Sequence, residues 1–558
     1  MDLVIFENNK PFVLGALKNG DFDYLEAANE VFEADFFRFI KAKSLLDELS
    51  QSYPKPRKKE EVPFWFYVAS NLSLRLHGVH AFDAFPLVVR AGGMLQAFGP
   101  KAGRKVVHPQ SGETTIRCEG FNRKNQYDRE SPCDPDFLRK MAKDTEAQAL
   151  MGWFGGEAVR VFHRHRAFDR EGVFIGDASY LFVPDNPHYE GSVKLHFDEN
   201  DHPISEEQYQ KMSDSQKSRC QWRRCYKMVT LLHTNAALDF FLFVAVKVIS
   251  GNGHECPVLY ALVKELVRAV GQGVMKRLIL DRGFLDGQAI SQCKEQYGID
   301  VLIPVRRNMD IYADAMALFQ DPDVQLVECP GQKEETKKSD LPRRPPVITR
   351  REKKRHEKLQ QLKQHQPPPP PEKVLIKKEA AVIGEFRSWS SCTVPLSVVA
   401  NREHYADGHQ ETWFLIDTHQ VKNPALTQEE YHLRISTEER YRQLKCFSDL
   451  THFTSRAFSL VVNQVVFIML AYNLLQIYLL HRGRKELNQK TLPRIRQQLL
   501  PANNYIIVYY QNYYGLFAPF ELLGFVVMLQ EEARKKIAAK CHRIGRELTG
   551  VIQNPRAP

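Results

Sequence analysis

Residues Tyr431–Lys445, YHLRISTEERYRQLK, decide how the rest of the chain is read. They follow Asn423, Pro424 and Thr427, residues suited to a helix start, and contain neither Gly nor Pro, so one continuous helix is predicted. At about 100° per residue, with Tyr431 at zero, Arg434 falls at roughly 300°, Glu438 at roughly 340° and Lys445 at roughly 320°. A phenol, a guanidinium, a carboxylate and an ammonium then share one stripe about 60° wide. Such a stripe is either a solvated face laced by i,i+3 and i,i+4 charge pairs, or a site where the carboxylate holds a metal and the cations hold phosphate. The choice depends on the remaining residues.

The chain has 558 residues, enough for several domains and a full core, with 43% apolar and 26% charged residues, which excludes a disordered protein. Lys and Arg number 77 against 67 Asp and Glu, a net charge of +10 that favours an acidic partner such as nucleic acid. Ten cysteines are scattered without a repeated CxxC, which indicates neither a disulfide framework nor a zinc site and fits a reducing cytoplasm. The opening MDLVIFENNK has no basic region followed by an apolar one, so no signal peptide is expected. Ser459–Leu480 is long enough to span a bilayer, but it carries Asn463, Gln464, Asn473 and Gln476 and reads as a buried core helix.

Taken in order, residues 1–165 read as a mainly helical, DNA-binding or accessory region. From about Glu171 the pattern turns to strands: Gly172–Phe182, Lys227–Thr234, Phe240–Ile249, Met275–Phe284 and Ile299–Val305, with helical stretches Cys256–Val270 and Asp286–Tyr297 between them. Hairpins followed by β-α-β-α alternation predict an α/β fold with a mixed sheet and helices against it over 166–308. Residues 309–426 interrupt this regularity. Within them 330–375 is a low-complexity linker with a basic run and five prolines, Pro367–Pro371, and 376–418 is β-rich, with Trp389 and Trp413. Residues 427–485 return to the core with the opening stretch and the apolar helix, and 486–558 read as a helical C-terminal region.

Two acids stand in unusual places. Asp177 sits inside the apolar run GVFIGDASYLF, and Asp281 closes the apolar part of MKRLILDRGF. An acid in an apolar strand is costly unless something compensates it. Each could cap a turn or pair with a base, as Asp281 could with Arg282. Together with Glu438, however, three carboxylates converging on one sheet edge would supply hard oxygen ligands for Mg²⁺ or Mn²⁺. Two such ions activate an attacking oxygen and stabilise a leaving one in displacement at phosphorus. Arg434 and Lys445 could grip the adjoining phosphates.

The run Tyr431, Arg434, Glu438, Lys445, spaced by two, three and six residues, resembles the YREK signature of DDE transposases of bacterial insertion sequences, the insertion-sequence-four type. Asp177-Ala-Ser179 resembles that family's first motif, Leu280-Asp281-Arg282-Gly283-Phe284 its second, and Ser250–Glu255 the turn between them. The resemblance covers roughly 165–485. It implies a ribonuclease H-like core with a β-rich insertion, and two divalent ions held by Asp177, Asp281 and Glu438 as the catalytic acids. It also implies hydrolysis and strand transfer at transposon ends, with Tyr431, Arg434, Lys445 and Arg282 contacting DNA. Trp413 or Trp389 is a candidate to stack on a flipped base, with core packing the more usual job for either. The implied partners are double-stranded DNA, as terminal inverted repeats and target, and a second copy of the chain in a homodimer, with no membrane. The implied location is the cytoplasm, at the nucleoid, of a bacterium or archaeon. A ribonuclease H-like nuclease without strand transfer and a non-catalytic DNA-binding protein remain as alternatives.

Overall fold

The opening stretch forms two helices rather than one: α1 (Pro424–His432) and α2 (Ile435–Phe447). Asn423 starts α1, its side chain accepting from the amides of Ala425 and Leu426, with Pro424 in the first turn. At the break Leu433 and Thr437 donate three residues back, to Glu430 and Arg434. Ile435, Ser436 and Thr437 are weak helix formers, and the i→i−4 ladder lapses where they cluster. The single 60° stripe is therefore corrected. Tyr431 belongs to α1, Arg434 precedes α2, and only Glu438 and Lys445 share a helix.

The computed structural model describes residues 7–30, 32–57, 62–79, 81–85, 133–198, 201–235, 237, 239–329, 375–448, 450–453, 455–499 and 503–553, plus short pieces between 88 and 117. Residues 330–374 of the low-complexity linker lie outside the described residues, as does most of the polar stretch 86–132. The chain is mixed α/β and divides into two compact units. The first comprises Met1–Ile279, Tyr297–Ile299 and Arg434–Pro558, and the second Leu280–Gln296 and Asp300–Leu433.

The sheet of the first unit is built on β1 (Val173–Val183), β2 (Gln221–Asn235), β3 (Phe240–Ser250) and β4 (Arg277–Leu280), whose last residue opens the second unit. β1 lies between β4 and β2, and it pairs antiparallel with β2 so that Asp177 faces Thr230 and Ser179 faces Met228. The far side of β2 pairs with Val193–Phe197 and with β3. At the turn after β3, a Cβ on Gly251 would stand 2.5 Å from Cys225 Sγ, so only glycine fits.

Helix α3 (Phe458–His481) runs through the middle of this unit and packs on β3 and on helices of the N-terminal region. It is the one described helix long and apolar enough to cross a membrane, and 83% of its apolar window is buried inside the protein. Its polar residues complete the edge of β3. Asn473 accepts from the Phe243 amide at 2.8 Å and donates to the Phe243 carbonyl at 2.6 Å, and Gln476 accepts from the Phe241 amide. An amide side chain thus stands in for a neighbouring strand, which keeps the buried backbone satisfied.

In the second unit β5 (Asp300–Pro304), β6 (Leu375–Phe386), β7 (Leu396–Tyr405) and β8 (Gln410–Asp417) form an antiparallel sheet in the order β6-β7-β8-β5. Helix α1 packs on β6 and β7.

The two ends of the chain were expected to be helical, and here the structure differs. The aromatic stretch after residue 502 forms a hairpin, β9 (Asn503–Tyr510) and β10 (Tyr513–Phe517). β9 pairs with the strand Tyr24–Glu30 and β10 with Glu7–Asn8, so both termini build one four-stranded sheet. Helices α4 (Pro519–Val527) and α5 (Glu531–Gln553) follow, and Val13, Leu17, Phe22, Val508, Phe517, Leu522 and Ile537 form a shared core. The run YIIVYY is rich in β-branched and aromatic residues, and Gln511 takes a left-handed φ of 55° at the turn; these strand signals outweigh length and apolarity.

Candidate active site

Asp177 is buried in the middle of β1, where its carboxylate accepts from the Ala178 amide at 2.9 Å. Helix α2 crosses this part of the sheet. Lys445 donates to the Ser179 hydroxyl at 2.8 Å, and the Tyr441 hydroxyl meets that of Thr230, the residue opposite Asp177, at 2.5 Å. The Tyr441 ring also stacks on Phe243, with centroids 6.4 Å apart. Burial raises the Tyr441 phenol well above its ordinary range, and the neighbouring Asp177 carboxylate adds to the shift. Burial lowers the pKa of Lys445, against the opposing pull of Asp201 and Asp177. Tyr441 and Lys445 therefore report that Asp177 lies within electrostatic reach of α2.

Glu438 shares the i, i+3, i+7 face with Tyr441 and Lys445. Its side chain is 55% exposed and pairs with Arg434 at 2.9 Å. The first unit thus assembles Asp177, Ser179, Glu438, Arg434 and Lys445 around one helix and one strand, the two motifs meeting across 266 residues.

Asp281 and Tyr431 belong to the second unit. Asp281 follows β4 in extended conformation (φ −86°, ψ 160°) and precedes a short 3-10 turn, Arg282–Phe284. Tyr431 stands against Trp413, with ring centroids 5.7 Å apart. Tyr431 and Trp413 line a cleft of about 290 Å³ with Arg282, Arg307, Tyr312 and Glu411. Arg307 pairs with Glu411 at 3.4 Å, and Arg306 donates to the Arg282 carbonyl at 2.8 Å. Trp389 is outside this cleft, and its carbonyl accepts from the Cys392 amide. Asp185, eight residues after Asp177, is engaged at the surface by Lys194 and Arg224.

Among the described residues, no three His, Cys, Asp or Glu side chains stand close enough to hold a metal. The donors themselves suit one: aspartate and glutamate oxygens match a hard divalent cation. Several participants were not singled out from sequence. Thr230 and Tyr441 carry no motif, and only the strand register reveals them. Arg307 follows shortly after the apolar strand β5, in a loop, a place where polar side chains often do chemistry, whereas Tyr312 lies in the next helix, Asp310–Phe319.

A buried acid on a strand, an exposed one on a crossing helix and cations beside both are groups chemically suited to a divalent cation and to phosphate oxygens. The family model described as a transposase DDE domain matches residues 171–474, more than half the chain, and the chain belongs to that family. No curated protein matches it. The matched span contains Asp177, Asp281 and Glu438, and also Tyr431, Arg434, Lys445, Arg282 and Trp413.

Proposed function

We propose that this transposase cuts DNA at the ends of an insertion sequence of the insertion-sequence-four type and joins the freed ends to a target. In this reading the core is ribonuclease H-like, and Asp177, Asp281 and Glu438 hold two Mg²⁺ or Mn²⁺ ions when DNA is engaged. The ions would supply charge neutralisation for attack at phosphorus. The protein's own share is positioning. β1 presents Asp177 from a rigid sheet, and α2 presents Glu438 beside Arg434. Lys445, held at Ser179, offers an ammonium to a phosphate next to the cut. In the cleft at Trp413 and Tyr431, aromatic faces and the Arg282 and Arg307 guanidiniums suit a nucleotide of the cleaved end. Two chains would bring two ends together.

The observation that carries the reading is the contact of Lys445 with Ser179, which lays the signature helix across the strand of the first motif. A cleavage assay with the element's own terminal repeats and Mg²⁺ tests it. Glu438→Ala is expected to abolish all products, and full activity in that variant refutes the assignment. Products of hydrolysis without strand transfer would reduce the enzyme to a nuclease.

A further inference from the structure

Past the end of α3, residues 482–494 read RGRKELNQKTLPR, five Lys or Arg against one acid, Glu486. This segment is tied by its backbone to α2, the helix of Glu438. Gln443 of α2 donates to the Gln489 carbonyl at 2.8 Å. The Asn488 carbonyl accepts from Arg440 of α2 at 3.4 Å and from Gln476 of α3 at 3.0 Å. Leu487 and Asn488 are fully buried, and the helix Leu492–Leu499 that follows packs on α2. Arg440 is 2% exposed, lies over the Phe241 ring at 4.6 Å and has no carboxylate partner among the described residues. Such a charge is costly to bury, and what it secures is the place of this segment against α2.

Some of the nearby charges are matched within the chain. Arg482 pairs with Asp35, Arg484 with Glu486 at 2.5 Å, and Arg442 of α2 with Glu439 at 2.6 Å. Asp239 accepts from the Gln489 side chain at 2.5 Å. Lys485, Lys490 and Arg494 are exposed and make no ion pair among the described residues. Lysines on a solvated face need no anchoring of this kind. A row of phosphates held in register with a catalytic acid does need it, because backbone contacts set where a duplex lies. Gln443, five residues after Glu438, stands about 140° round the helix from it. The way from Glu438 to the segment therefore crosses α2, about 10–12 Å, or roughly three base pairs of duplex at 3.4 Å each.

We propose that Lys485, Lys490 and Arg494 form a phosphate-binding ledge that carries the duplex a few base pairs from the cut, its position set by Arg440 and Gln443 of α2. The proposal rests on the reading of Glu438 as the acid beside the cut. It is tested by binding without metal, so it does not depend on cleavage. Fluorescence anisotropy over a range of salt uses duplex carrying the element's terminal repeat and duplex of unrelated sequence. The triple variant Lys485→Gln, Lys490→Gln, Arg494→Gln is expected to keep the far-ultraviolet spectrum and thermal midpoint of the parent. Its slope of log K against log salt is expected to fall by about 0.9 per lost contact, roughly 2.7 in all. Lys490→Arg, which keeps the charge, is expected to keep the slope. Neutral methylphosphonates placed singly along the repeat duplex then locate the contact. Those roughly three base pairs from the cut are expected to weaken binding of the parent and not of the triple variant. A loss on repeat duplex alone assigns the ledge to the element's end, and an equal loss on both duplexes assigns it to DNA of any sequence, target included. An unchanged slope overturns the proposal, as does a set of methylphosphonates none of which distinguishes variant from parent. If the distinguishing phosphates lie at another distance, the ledge stands and the placing of the cut at Glu438 fails.

Discussion

Replacing Lys445 by Met separates a phosphate contact from a packing role. The side chain is largely buried, and its ammonium donates to the half-buried Ser179 hydroxyl at 2.8 Å. Methionine keeps the apolar stem but loses that hydrogen bond, a cost of about 0.5–1.5 kcal/mol. Removing a cation that burial disfavours offsets part of this loss, so the urea midpoint is expected to stay close to that of the parent. The effect on DNA is larger. A charge-assisted bond to phosphate contributes about 1.5–3 kcal/mol, which is roughly 10- to 150-fold in affinity for the cleaved end. One phosphate contact fewer also lowers the slope of log K against log salt by about 0.9. Binding is measured by fluorescence anisotropy with end DNA over a range of salt. Because the Lys445 pKa is lowered, the contact should also fade as pH rises, sooner than for an ordinary lysine. An unchanged salt slope with parental affinity, in a variant that folds normally, would show that Lys445 serves packing alone.

Asn473→Leu leaves the Phe243 amide and carbonyl without partners at fully buried positions; at about 1–3 kcal/mol each the expected loss is roughly 2–6 kcal/mol, read from urea unfolding. His233 is buried, accepts from the Asp169 amide and donates to the Val173 carbonyl, and burial lowers its pKa below 6.5. The unfolded chain then takes up a proton that the folded chain refuses, so stability should fall by about 1.4 kcal/mol per unit as pH drops below about 6.5, and His233→Gln should flatten that slope. Trp413→Ala, which removes the ring beside Tyr431, should weaken binding of single-stranded end DNA by about 1–3 kcal/mol while double-stranded binding changes less; equal losses on both would argue against a stacking role.

What could be read in the residues, and what could not, follows from the range of the forces involved. Strands of the core announced themselves because β-branched runs such as Phe240–Ile249 carry their preference locally. The polar residues of Ser459–Leu480 marked that helix as one inside a protein, and their partners explain why: Asn473 and Gln476 face the backbone of β3. The ends of the chain misled, because the hairpin β9–β10 gains its partners from Glu7–Asn8 and Tyr24–Glu30, some 480 residues away in sequence. The helix break at 433–434 was visible only as a cluster of weak helix formers, and a uniform 100° wheel cannot register such a lapse.

The candidate site divides along the same line. Motif spacing named Asp177, Asp281, Glu438 and Lys445, since each is a residue type the chemistry demands. It could not say that Lys445 is held at Ser179, or that Tyr441 and Thr230 seat the helix beside Asp177, because those contacts come from strand register and helix docking. This makes Tyr441 a positioning residue. Its buried ring stacks on Phe243 of β3, and its hydroxyl ties α2 to Thr230 of β2, opposite Asp177. Tyr441→Phe keeps the ring and removes that tie, leaving a buried Thr230 hydroxyl without that partner. Cleavage should slow while end binding holds, whereas a loss of binding matching the loss of rate would place Tyr441 on the DNA path instead.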